Sequence, residues 1–376
     1  GQLSPLEDTS VVKALKLGKS SGLPLMKTKE QSLVYSFDRE QQIRSSLKAP
    51  NPCVAYKRTQ RGNKTRLVWG YPLEMTIMEA RFARPLIDMF KQRSTPMAFA
   101  MTKCELGAKI ESHFDNVPGI TVCTDYSKFD STIPAHFIRR AFKILETWFP
   151  KEDRKTLGWD IMVKYFITTP IVMPDGNLYT GKNHGVPSGS YFTQLVDSIV
   201  NVAICYALGS RFNFSFRRRS LFVLGDDSML RVEGKFSVRE WAAYVKQFGM
   251  CIHDDHKTVI GKNHFLGATW IKGKLDAPTD ELSTKAGNPE SYRHYDSQDR
   301  EEPISVLRSY AASYLSAWQF IPNARPYLMN TIDHSIRRDE SPHRRSTPAE
   351  QFFFEEMGMA TVMRKSDGSL SMRILL

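Results

Sequence analysis

Leu-Phe-Val-Leu-Gly-Asp-Asp-Ser-Met-Leu-Arg-Val, residues 221–232, places two short apolar runs on either side of Gly225-Asp226-Asp227. Glycine and aspartate suit the left-handed backbone of a tight turn, so this stretch predicts a β-hairpin. Its tip carries two adjacent carboxylates. Because side chains alternate along a strand, one of them can face a site while its neighbour turns partly away. Paired carboxylates on a rigid turn suit a hard divalent cation such as Mg²⁺, although Gly-Asp-Asp alone is also a common turn.

A second pair of carboxylates, Asp125 and Asp130, lies nearer the N-terminus. The β-prone run Ile-Thr-Val-Cys-Thr, residues 120–124, directly precedes Asp125. This order predicts that Asp125 ends a strand and is fixed by its backbone. Asp130 is predicted near the following strand-to-helix junction, where it can contact a different part of a ligand. Taken singly, each acid is also compatible with an ordinary loop.

A helix is predicted after this cluster, with Ser131 or Thr132 as its N-cap and Pro134 early in its first turn. Apolar residues recur through it at helical spacing, which predicts one buried face. The residues of that face are Phe137, Ile138, Ala141, Ile144 and Leu145.

A third element, Gly185-Val-Pro-Ser188-Gly189, is a loop that opens a longer predicted helix. Loop amides and a helix N-terminus favour phosphate or another anion, although the same residues are also simply a good helix start. The loop differs from the Gly-x-Ser-x-Gly nucleophile elbow of hydrolases, because Gly189 directly follows Ser188. The apolar stripe predicted along the helix is Phe192, Leu195, Val196, Ile199, Ala203 and Tyr206.

In this order the three blocks resemble motifs A, B and C of the viral RNA-dependent RNA polymerases. The patterns are Asp-x₄-Asp in residues 125–130, Ser-Gly-x₃-Thr in residues 188–193 and Gly-Asp-Asp in residues 225–227. Residues 185–201 look like the partitivirus branch, whose genomes are segmented double-stranded RNA. The resemblance covers roughly residues 20–270. It implies an α/β (α+β) fold, a right-hand polymerase with fingers, palm and thumb, in which the palm is an antiparallel sheet packed on helices.

The resemblance also implies the chemistry, template-directed RNA synthesis from NTPs by two-metal nucleotidyl transfer. Asp125 and Asp226 would bind two Mg²⁺ ions, which Mn²⁺ can replace, with Asp227 as a further ligand or an orienting group. Asp130 would accept a hydrogen bond from the ribose 2′-hydroxyl, the group that distinguishes RNA from DNA. The residues implied to complete the nucleotide site are Ser188, Gly189 and Thr193.

Asp197 departs from the pattern of many positive-strand virus polymerases, which have asparagine four residues after the motif B threonine. A carboxylate can also accept from the 2′-hydroxyl, so Asp197 is assigned to the nucleotide site as well. It would lie near Asp130 and repel it. We therefore expect either that one of the two is protonated or that they do not share the ribose directly.

A dense basic run, residues 57–66, resembles motif F, a fingers element that meets the incoming triphosphate and the template backbone. Lys64 and Arg66 fit the nucleotide-facing pair, because a predicted strand resumes at Leu67. Arginine can bind phosphate oxygens bidentately, whereas lysine acts as a point charge. By composition alone the run is also compatible with a solvated loop. The other cations, assigned to RNA, are Lys57, Arg58 and Arg61.

Three shorter blocks resemble the remaining polymerase motifs. Ser21 and Gly22, in a Ser-Ser-Gly-Leu-Pro loop, resemble motif G, which guides the template strand. Lys257 takes the place of motif D as a general acid for the departing pyrophosphate, with a solvent-facing loop lysine as the alternative. The His-Asp-Asp-His string at 253–256 does not indicate a metal site, because successive side chains cannot easily converge on one ion. Motif E, which supports the growing 3′ end, is matched by Phe265, Leu266 and Gly267.

Composition agrees with a nucleic-acid partner, since the 376 residues carry a formal net charge of +12. The sequence shows no apolar run of about 18 or more residues to span a bilayer, and no signal peptide or lipidation motif. Five scattered cysteines form no disulfide framework, which favours a reducing compartment. Because residue 1 is glycine, we expect a fragment, a processed form or a renumbered chain.

The resemblance predicts partners, location and domains together. The partners are the RNA template and product duplex, NTPs and, as a candidate, a viral capsid protein. The locations are the virion interior and the host cytoplasm. A long helix is predicted near Glu74–Phe90. The predicted domains are fingers with motifs G and F at 1–120, palm with motif A at 121–148, a fingers insertion at 149–187, palm with motifs B to E at 188–275, and thumb at 276–376.

Two other protein classes share parts of this pattern. A reverse transcriptase has the palm acids but typically carries an aromatic residue before Asp-Asp and a bulky steric gate, so Gly225 and Asp130 disfavour it. A non-catalytic, palm-like RNA-binding protein has no need for Asp125, Asp226 and Asp227 in one cleft. Incorporation of NTPs, of dNTPs or of neither would separate the three classes. The sequence leaves open the host, primed or de novo initiation, and the oligomeric state.

Overall fold

The computed structural model describes residues 2–60, 64–93, 95–99, 101, 103–216, 218–253, 257–276, 360–364 and 370–374. The chain divides into two compact units, each of which contains helices and strands. Unit 1 consists of Gly1–Phe99 and Gly119–Gly261, and unit 2 of Ala100–Pro118 and Lys262–Leu376.

Within these residues, groups of α-helices alternate with groups of β-strands along the chain. The helices are α1 (Asp8–Ala14), α2 (Lys29–Arg44), α3 (Leu73–Gln92), α4 (Lys103–Ile110), α5 (Phe129–Thr132), α6 (Ala135–Leu145), α7 (Lys151–Thr156), α8 (Trp159–Thr168), α9 (Thr193–Phe212) and α10 (Val238–Lys246). The strands are β1 (Cys53–Gln60), β2 (Lys64–Gly70), β3 (Ile120–Thr124), β4 (Ile171–Val172), β5 (Leu178–Tyr179), β6 (Leu221–Leu224), β7 (Asp227–Val232), β8 (Val259–Ile260), β9 (Asn263–Phe265), β10 (Ala268–Ile271), β11 (Lys274–Asp276), β12 (Ala360–Arg364) and β13 (Leu370–Ile374).

An antiparallel sheet of order β6-β7-β3-β8 carries the predicted acids and is called the acid sheet below. Strand β3 pairs with β7 up to Thr124 opposite Ser228, so that Asp125 follows beside the start of β7. Strands β6 and β7 end in a two-residue turn of Gly225 and Asp226. Gly225 has a φ of +64°, a conformation that favours glycine. The predicted hairpin and the predicted strand before Asp125 are both confirmed.

The basic run lies in a second sheet of unit 1, with the strand order β2-β1-β4-β5. Strands β1 and β2 form an antiparallel hairpin in which Arg58 pairs with Arg66 and Gln60 with Lys64. The prediction that a strand resumes only at Leu67 is therefore wrong, because this ladder already begins at Lys64. Strand β4 pairs in parallel with β1 and so joins residues 171–172 to the hairpin.

Aromatic side chains fix the start of α9 within the core of unit 1. Phe192, the residue before α9, lies 5.1 Å from Phe142 of α6 and 5.9 Å from Trp159 of α8 between ring centroids. Trp159 also packs edge-to-face on Phe82 of α3 at 5.0 Å. Aromatic pairs of this kind contribute about 0.5–1.5 kcal/mol beyond area burial. They hold the start of α9 against α6 and α8.

The helix predicted after the second acid pair begins later than expected. Pro134 takes the N-cap position of α6 rather than its first turn, and the predicted caps Ser131 and Thr132 belong to the short α5. The reason is a pairing distant in sequence, because residues 133–135 and 183–185 exchange backbone hydrogen bonds of 2.7 and 3.1 Å. The residue before a proline is also biased towards extended backbone.

The apolar faces of α6 and α9 also differ in part from the prediction. In α6, Ile144 is 47% exposed whereas Phe142 is buried. In α9, Ala203 and Tyr206 are exposed, because this helix turns a partly polar face inward. The periodicity of apolar residues does not detect such a face. Its buried members include Asp197, Ser198, Asn201 and Cys205.

Helix α9 is long and apolar enough to cross a membrane, judged by length and composition alone, although no apolar run of that kind was predicted from the sequence. Its most apolar window has a mean hydropathy of 1.3, and 56% of that window is buried inside the protein. A helix that is apolar and mostly buried is typical of a protein core. Within the described part of the chain, α9 is the one helix that meets this measure.

Unit 2 contains the residues that resemble motif E. Strands β9 and β10 form a hairpin, and β10 pairs further with β11. Leu266 and Gly267 form its turn, with φ values of +55° and +69°. Strands β12 and β13 make a separate antiparallel hairpin. Most of the predicted thumb, residues 277–359, lies outside the described residues.

Candidate active site

A cleft of about 990 Å³ in unit 1 brings together residues from distant parts of the chain. Arg66 lines it from β2, Asp125 from the end of β3, and Asp226 from the β6–β7 turn. These residues are far apart in sequence, so the fold rather than local sequence assembles the site. Further polar residues that line the cleft are Asp130, Lys182, Ser188, His253 and Lys257.

Asp125 and Asp226 project into the cleft from neighbouring ends of the acid sheet. The Asp125 side chain is 47% exposed, and Asp226 is exposed at the turn. Asp227 is half-buried; burial first, and then the charges of Asp226 and Asp125, raise its pKa to about 6. The three carboxylates are thus close enough to repel one another. Within the described residues, no group of three metal-ligating side chains is preformed.

Two polar side chains of α9 hold the turn that carries Asp226. The Asn201 Nδ2 group donates to the carbonyl oxygens of Gly225 and Asp226, both at 3.0 Å, and lies 3.5 Å from that of Asp227. The Ser198 Oγ atom accepts from the Gly225 N–H at 2.9 Å. We call Ser198 and Asn201 the turn clamp. Sequence analysis missed both, because a buried polar residue inside an apolar helix gives no periodic signal.

Asp130 and Asp197 form a hydrogen-bonded pair of carboxyl groups. Burial, followed by the charges of Asp130 and Asp226, raises the pKa of Asp197 well above its usual range. The pKa of Asp130 is raised by burial and by Asp226, but Arg66 and the bond from Asp197 oppose this shift. Burial therefore favours the protonated form of Asp197, which can donate to Asp130. Of the two alternatives expected from the sequence, these shifts favour the one in which one acid is protonated.

The motif B loop packs closely against the end of β2. The Ser188 Oγ atom accepts from the Trp69 N–H at 3.2 Å. A Cβ atom on Gly189 would lie 2.0 Å from the Trp69 carbonyl oxygen, so only glycine fits there. The Thr193 hydroxyl donates to the Pro187 carbonyl at 2.7 Å and thus closes the loop on itself. Ser188 lines the cleft, whereas Thr193 acts within the loop.

A buried glutamate that the sequence analysis did not single out supports the same loop. Glu79 of α3 is fully buried, and its Oε2 atom accepts from the Ser190 hydroxyl at 2.7 Å and from the Tyr191 N–H at 2.8 Å. Burial raises the pKa of Glu79 to about 7, although these bonds oppose the shift. The loop is therefore tied to α3 through one carboxyl group.

Lys182 is a cleft residue that the sequence gave no reason to select. Its Nζ group donates to the carbonyl oxygens of Phe166 at 2.9 Å and Gly185 at 2.7 Å. Burial lowers the pKa of Lys182 to about 8. The lysine thus joins the end of α8 to the start of the motif B loop.

A histidine and then a lysine lie beyond Asp125 in the cleft. The His253 Nε2 atom lies 3.9 Å from Asp125 Oδ2. The Lys257 Nζ atom lies 3.4 Å from His253 Nε2. The predicted general acid is therefore placed near the acids, with His253 between it and Asp125. Residues 254–256 of the His-Asp-Asp-His string lie outside the described residues.

The remaining predicted RNA contacts are placed as follows. Arg66 lines the cleft, while Lys57 and Arg58 are exposed on β1. Arg61 and the side chain of Lys64 lie outside the described residues. In motif G, Ser21 is 3% exposed and Gly22 has a φ of +70°. In motif E, Phe265 is 1% exposed, and Leu266 and Gly267 form the β9–β10 turn.

Comparisons with known proteins place these features in a family. Residues 53–317 match the sequence model of the family described as viral RNA-dependent RNA polymerase. The chain is 31% identical over 254 residues to an RNA-directed RNA polymerase of Cryptosporidium parvum virus 1 (strain KSU-1), which covers 63% of this chain and 47% of that protein. It is 22% identical over 276 residues to an RNA-directed RNA polymerase of White clover cryptic virus 1, which covers 66% of this chain and 42% of that protein.

The chain thus spans about half the length of the curated relatives it matches. Among solved structures it resembles the crystal structure of the RNA-dependent RNA polymerase of a human picorbirnavirus. The TM-score is 0.72 at 18% identity, with 89% of this chain and 67% of that chain covered. This likeness confirms the predicted right-hand polymerase fold with its antiparallel sheet.

Proposed function

Because the chain belongs to the viral RNA-dependent RNA polymerase family, we propose that it synthesises RNA from NTPs on an RNA template. The genome that it would replicate and transcribe is double-stranded RNA, as in the partitivirus branch that its motif B resembles. The observation that carries this proposal is the common cleft of Asp125, Asp226, Asp130 and Arg66. This cleft thus combines acids that could bind a metal, an acceptor for a ribose hydroxyl and a cation for phosphate.

Polymerases of this family are nucleotidyltransferases that generally use divalent metals, and we propose two Mg²⁺ ions here, with Mn²⁺ able to substitute. The donor set fits, because carboxylate oxygens are the ligands that Mg²⁺ prefers. Burial and then the charges of Asp226 and Asp125 raise the pKa of Asp227, and a bound cation would relieve the repulsion among these three carboxylates. An open pair of carboxylates also suits Mg²⁺, which usually keeps water and substrate phosphates as its other ligands. When bound, such ions acidify the primer 3′-hydroxyl and neutralise the leaving pyrophosphate.

The protein's own side chains would bind and orient the nucleotide. Asp130 is the acceptor for the ribose 2′-hydroxyl, and the proton on Asp197 keeps this pair at a single negative charge. Arg66 faces the same cleft and would bind triphosphate oxygens bidentately. Ser188 would contact the ribose side of the site. Lys257 would give a proton to the departing pyrophosphate.

We propose the domain assignment that the motif order predicts, with fingers at 1–120 and 149–187, palm at 121–148 and 188–275, and thumb at 276–376. The parallel pairing of β1 with β4 supports the assignment of both segments to the fingers, because it places them in one sheet. The RNA-facing residues of this assignment are those of motifs F, G and E. The enzyme would act in the virion interior and the host cytoplasm, with a capsid protein as its neighbour in the particle.

The experiment that tests the activity is incorporation of labelled NTPs, or dNTPs, on a single-stranded RNA template with Mg²⁺. Wild type is compared with Asp226→Asn and with Asp160→Asn, an exposed acid in the first turn of α8. We expect template-dependent NTP incorporation that disappears in Asp226→Asn and persists in Asp160→Asn. Preferential dNTP incorporation would instead identify a reverse transcriptase. RNA binding without incorporation, even with Mn²⁺ and a primer, would contradict the polymerase proposal for this chain.

A further inference from the structure

The turn clamp, Ser198 and Asn201, connects the two acids that the proposed function assigns to metal. Asn201 is completely buried, so its amide cannot exchange its partners for bulk water. Its Nδ2 group binds two carbonyl oxygens of the turn, those of Gly225 and Asp226, and lies near a third. The backbone that carries the Asp226 side chain is therefore held at its tip by side chains of α9.

The same asparagine also contacts the residue that follows the other acid. Its Oδ1 atom accepts from the Tyr126 hydroxyl at 3.5 Å, and Tyr126 directly follows Asp125. The Cys205 thiol lies 3.8 Å from the same oxygen. These contacts orient the amide, because an oxygen placed on the turn side would face carbonyl oxygens. One side chain thus contacts the segments of both Asp125 and Asp226.

Ser198 completes the restraint from the preceding turn of α9. Residues three apart on a helix share a face, so Ser198 and Asn201 address the hairpin turn together. Ser198 accepts from the Gly225 N–H, while Asn201 donates to the Gly225 carbonyl. The backbone N–H and C=O groups of Gly225 are therefore both hydrogen-bonded. The glycine itself has a left-handed backbone and no side chain to hold it in place.

We propose that Asn201, assisted by Ser198, is the positioning residue that sets the spacing of the Asp125 and Asp226 carboxylates, and thereby the affinity of the site for a divalent cation. This inference rests on the proposed function, because it assumes that these two acids bind the metal. Asn201 itself does not line the cleft. Groups that orient metal ligands in this way typically change metal affinity by about 10–100-fold when they are lost.

The test measures cation binding directly, with Mn²⁺ alone as the probe and electron paramagnetic resonance to count free ions. Asn201→Asp keeps the volume of the side chain but replaces the donor amide by an acceptor that faces carbonyl oxygens. We expect it to weaken Mn²⁺ binding by about 10–100-fold. Ser198→Ala removes a single acceptor and should weaken binding by about tenfold, the lower end of that range. Ser198→Ala also serves as the second variant if Asn201→Asp does not fold.

Val200→Ala is the matched control. Val200 is buried on α9 between the two clamp residues, and its truncation should lower the thermal midpoint while leaving Mn²⁺ affinity unchanged. Equal weakening in Val200→Ala and Asn201→Asp would overturn the proposal in favour of a general packing effect. Wild-type Mn²⁺ affinity in folded Asn201→Asp or Ser198→Ala would overturn it as well.

Failure of this inference can be told apart from failure of the proposed function. If wild type incorporates NTPs and Asn201→Asp binds Mn²⁺ normally, the inference fails and the polymerase function stands. If Mn²⁺ binding depends on Asp226 and on Asn201 but no NTP is incorporated, the polymerase function fails and the positioning role stands. Mn²⁺ binding that is undetectable in wild type, or unchanged in Asp226→Asn, would overturn the inference.

Discussion

The acid side and the basic side of the cleft are built in different ways. On the acid side, buried polar groups hold the functional residues: the turn clamp binds the turn that carries Asp226, and buried Asp197 is hydrogen-bonded to Asp130. On the basic side, Arg66 lines the cleft from the β1–β2 hairpin, on which Lys57 and Arg58 are also exposed. The acid side is therefore preorganised, whereas the basic side offers charge on a regular strand pair.

This contrast predicts two kinds of response to substitution. Removal of a proposed metal ligand on the acid side should have a large effect that salt does not moderate, because it leaves the remaining carboxylates without their shared cation. Changes on the basic side should be graded and sensitive to salt, because exposed charges are screened within about 10 Å at 0.1 M ionic strength. Each prediction below tests one part of this difference.

Asp125→Asn should have the largest effect. It removes a carboxylate from the proposed metal site, and a loss of several kcal/mol in the transition state corresponds to a rate reduction of about a thousandfold or more. The rate of single-nucleotide extension measures this, with Asp160→Asn as the control. A reduction no greater than that caused by Arg66→Ala would contradict the contrast between the two sides.

Glu79→Gln should change how stability depends on pH. The pKa of Glu79 is raised from 4.5 to about 7 in the folded protein, so its stabilising contribution is complete below pH 4.5 and is lost as the pH rises through 7. At pH 8 this loss is about 3 kcal/mol. Glutamine can accept the same bonds from Ser190 and Tyr191 without ionising. We therefore expect the variant to be more stable than wild type at pH 8 and to differ little at pH 5.

Thermal unfolding of wild type and variant across this pH range provides the measurement. Glu30→Gln, an exposed glutamate in the first turn of α2, is the control and should leave the pH profile unchanged. Parallel profiles for wild type and Glu79→Gln would show that the loop is not held by a titrating carboxyl group.

Asp130→Ala should reduce the preference for NTPs over dNTPs. A hydrogen bond to a charged acceptor contributes about 1.5–3 kcal/mol, which corresponds to roughly a 10–100-fold change in the ratio of kcat/KM values. Asp197→Asn should retain most of the preference, because an amide can donate to Asp130 as the protonated acid does. Comparing ATP with dATP in both variants measures this effect. Equal losses in both would mean that Asp197 has a further role.

Arg66→Ala should raise the KM for NTPs by about tenfold, typical of one charge-assisted contact. The effect should shrink at higher salt, unlike the effect of Asp125→Asn. Arg66 also opposes the rise in the pKa of Asp130, so this pKa should be higher in the variant. As the pH is lowered, the variant should therefore lose activity at a higher pH than wild type. Arg66→Lys keeps the charge and should recover part of both effects. A salt-independent loss would place Arg66 with the preorganised acid side.

The sequence predicts the acid side of the site where the signals are local. A β-prone run before Asp125 and a glycine at the turn before Asp226 need only a few neighbouring residues, and both predictions are confirmed. These local signals fail where a segment pairs with residues that are distant in sequence. Residues 133–135 pair with 183–185, which delays the start of α6.

The polar residues that support the site were missed for the same physical reason. Asn201, Ser198, Glu79 and Lys182 each bind groups of another segment, and at least one partner of each is a backbone group, which every residue has. The pattern of apolar residues in the sequence does not distinguish such a structural contact from solvent exposure. Their role follows only from the folded geometry.

Lys57→Ala should have the smallest effect and tests the basic side alone. Lys57 is exposed on β1, so its loss should weaken RNA binding only a few-fold near physiological salt. The slope of log K against log salt for a single-stranded RNA should fall by about 0.7, the value for one phosphate contact. Lys155→Ala, an exposed lysine on α7, controls for the loss of net charge and should leave the slope unchanged. Equal slopes in the two variants would show that the hairpin contributes only diffuse charge, and that its strand geometry does not direct RNA to the cleft.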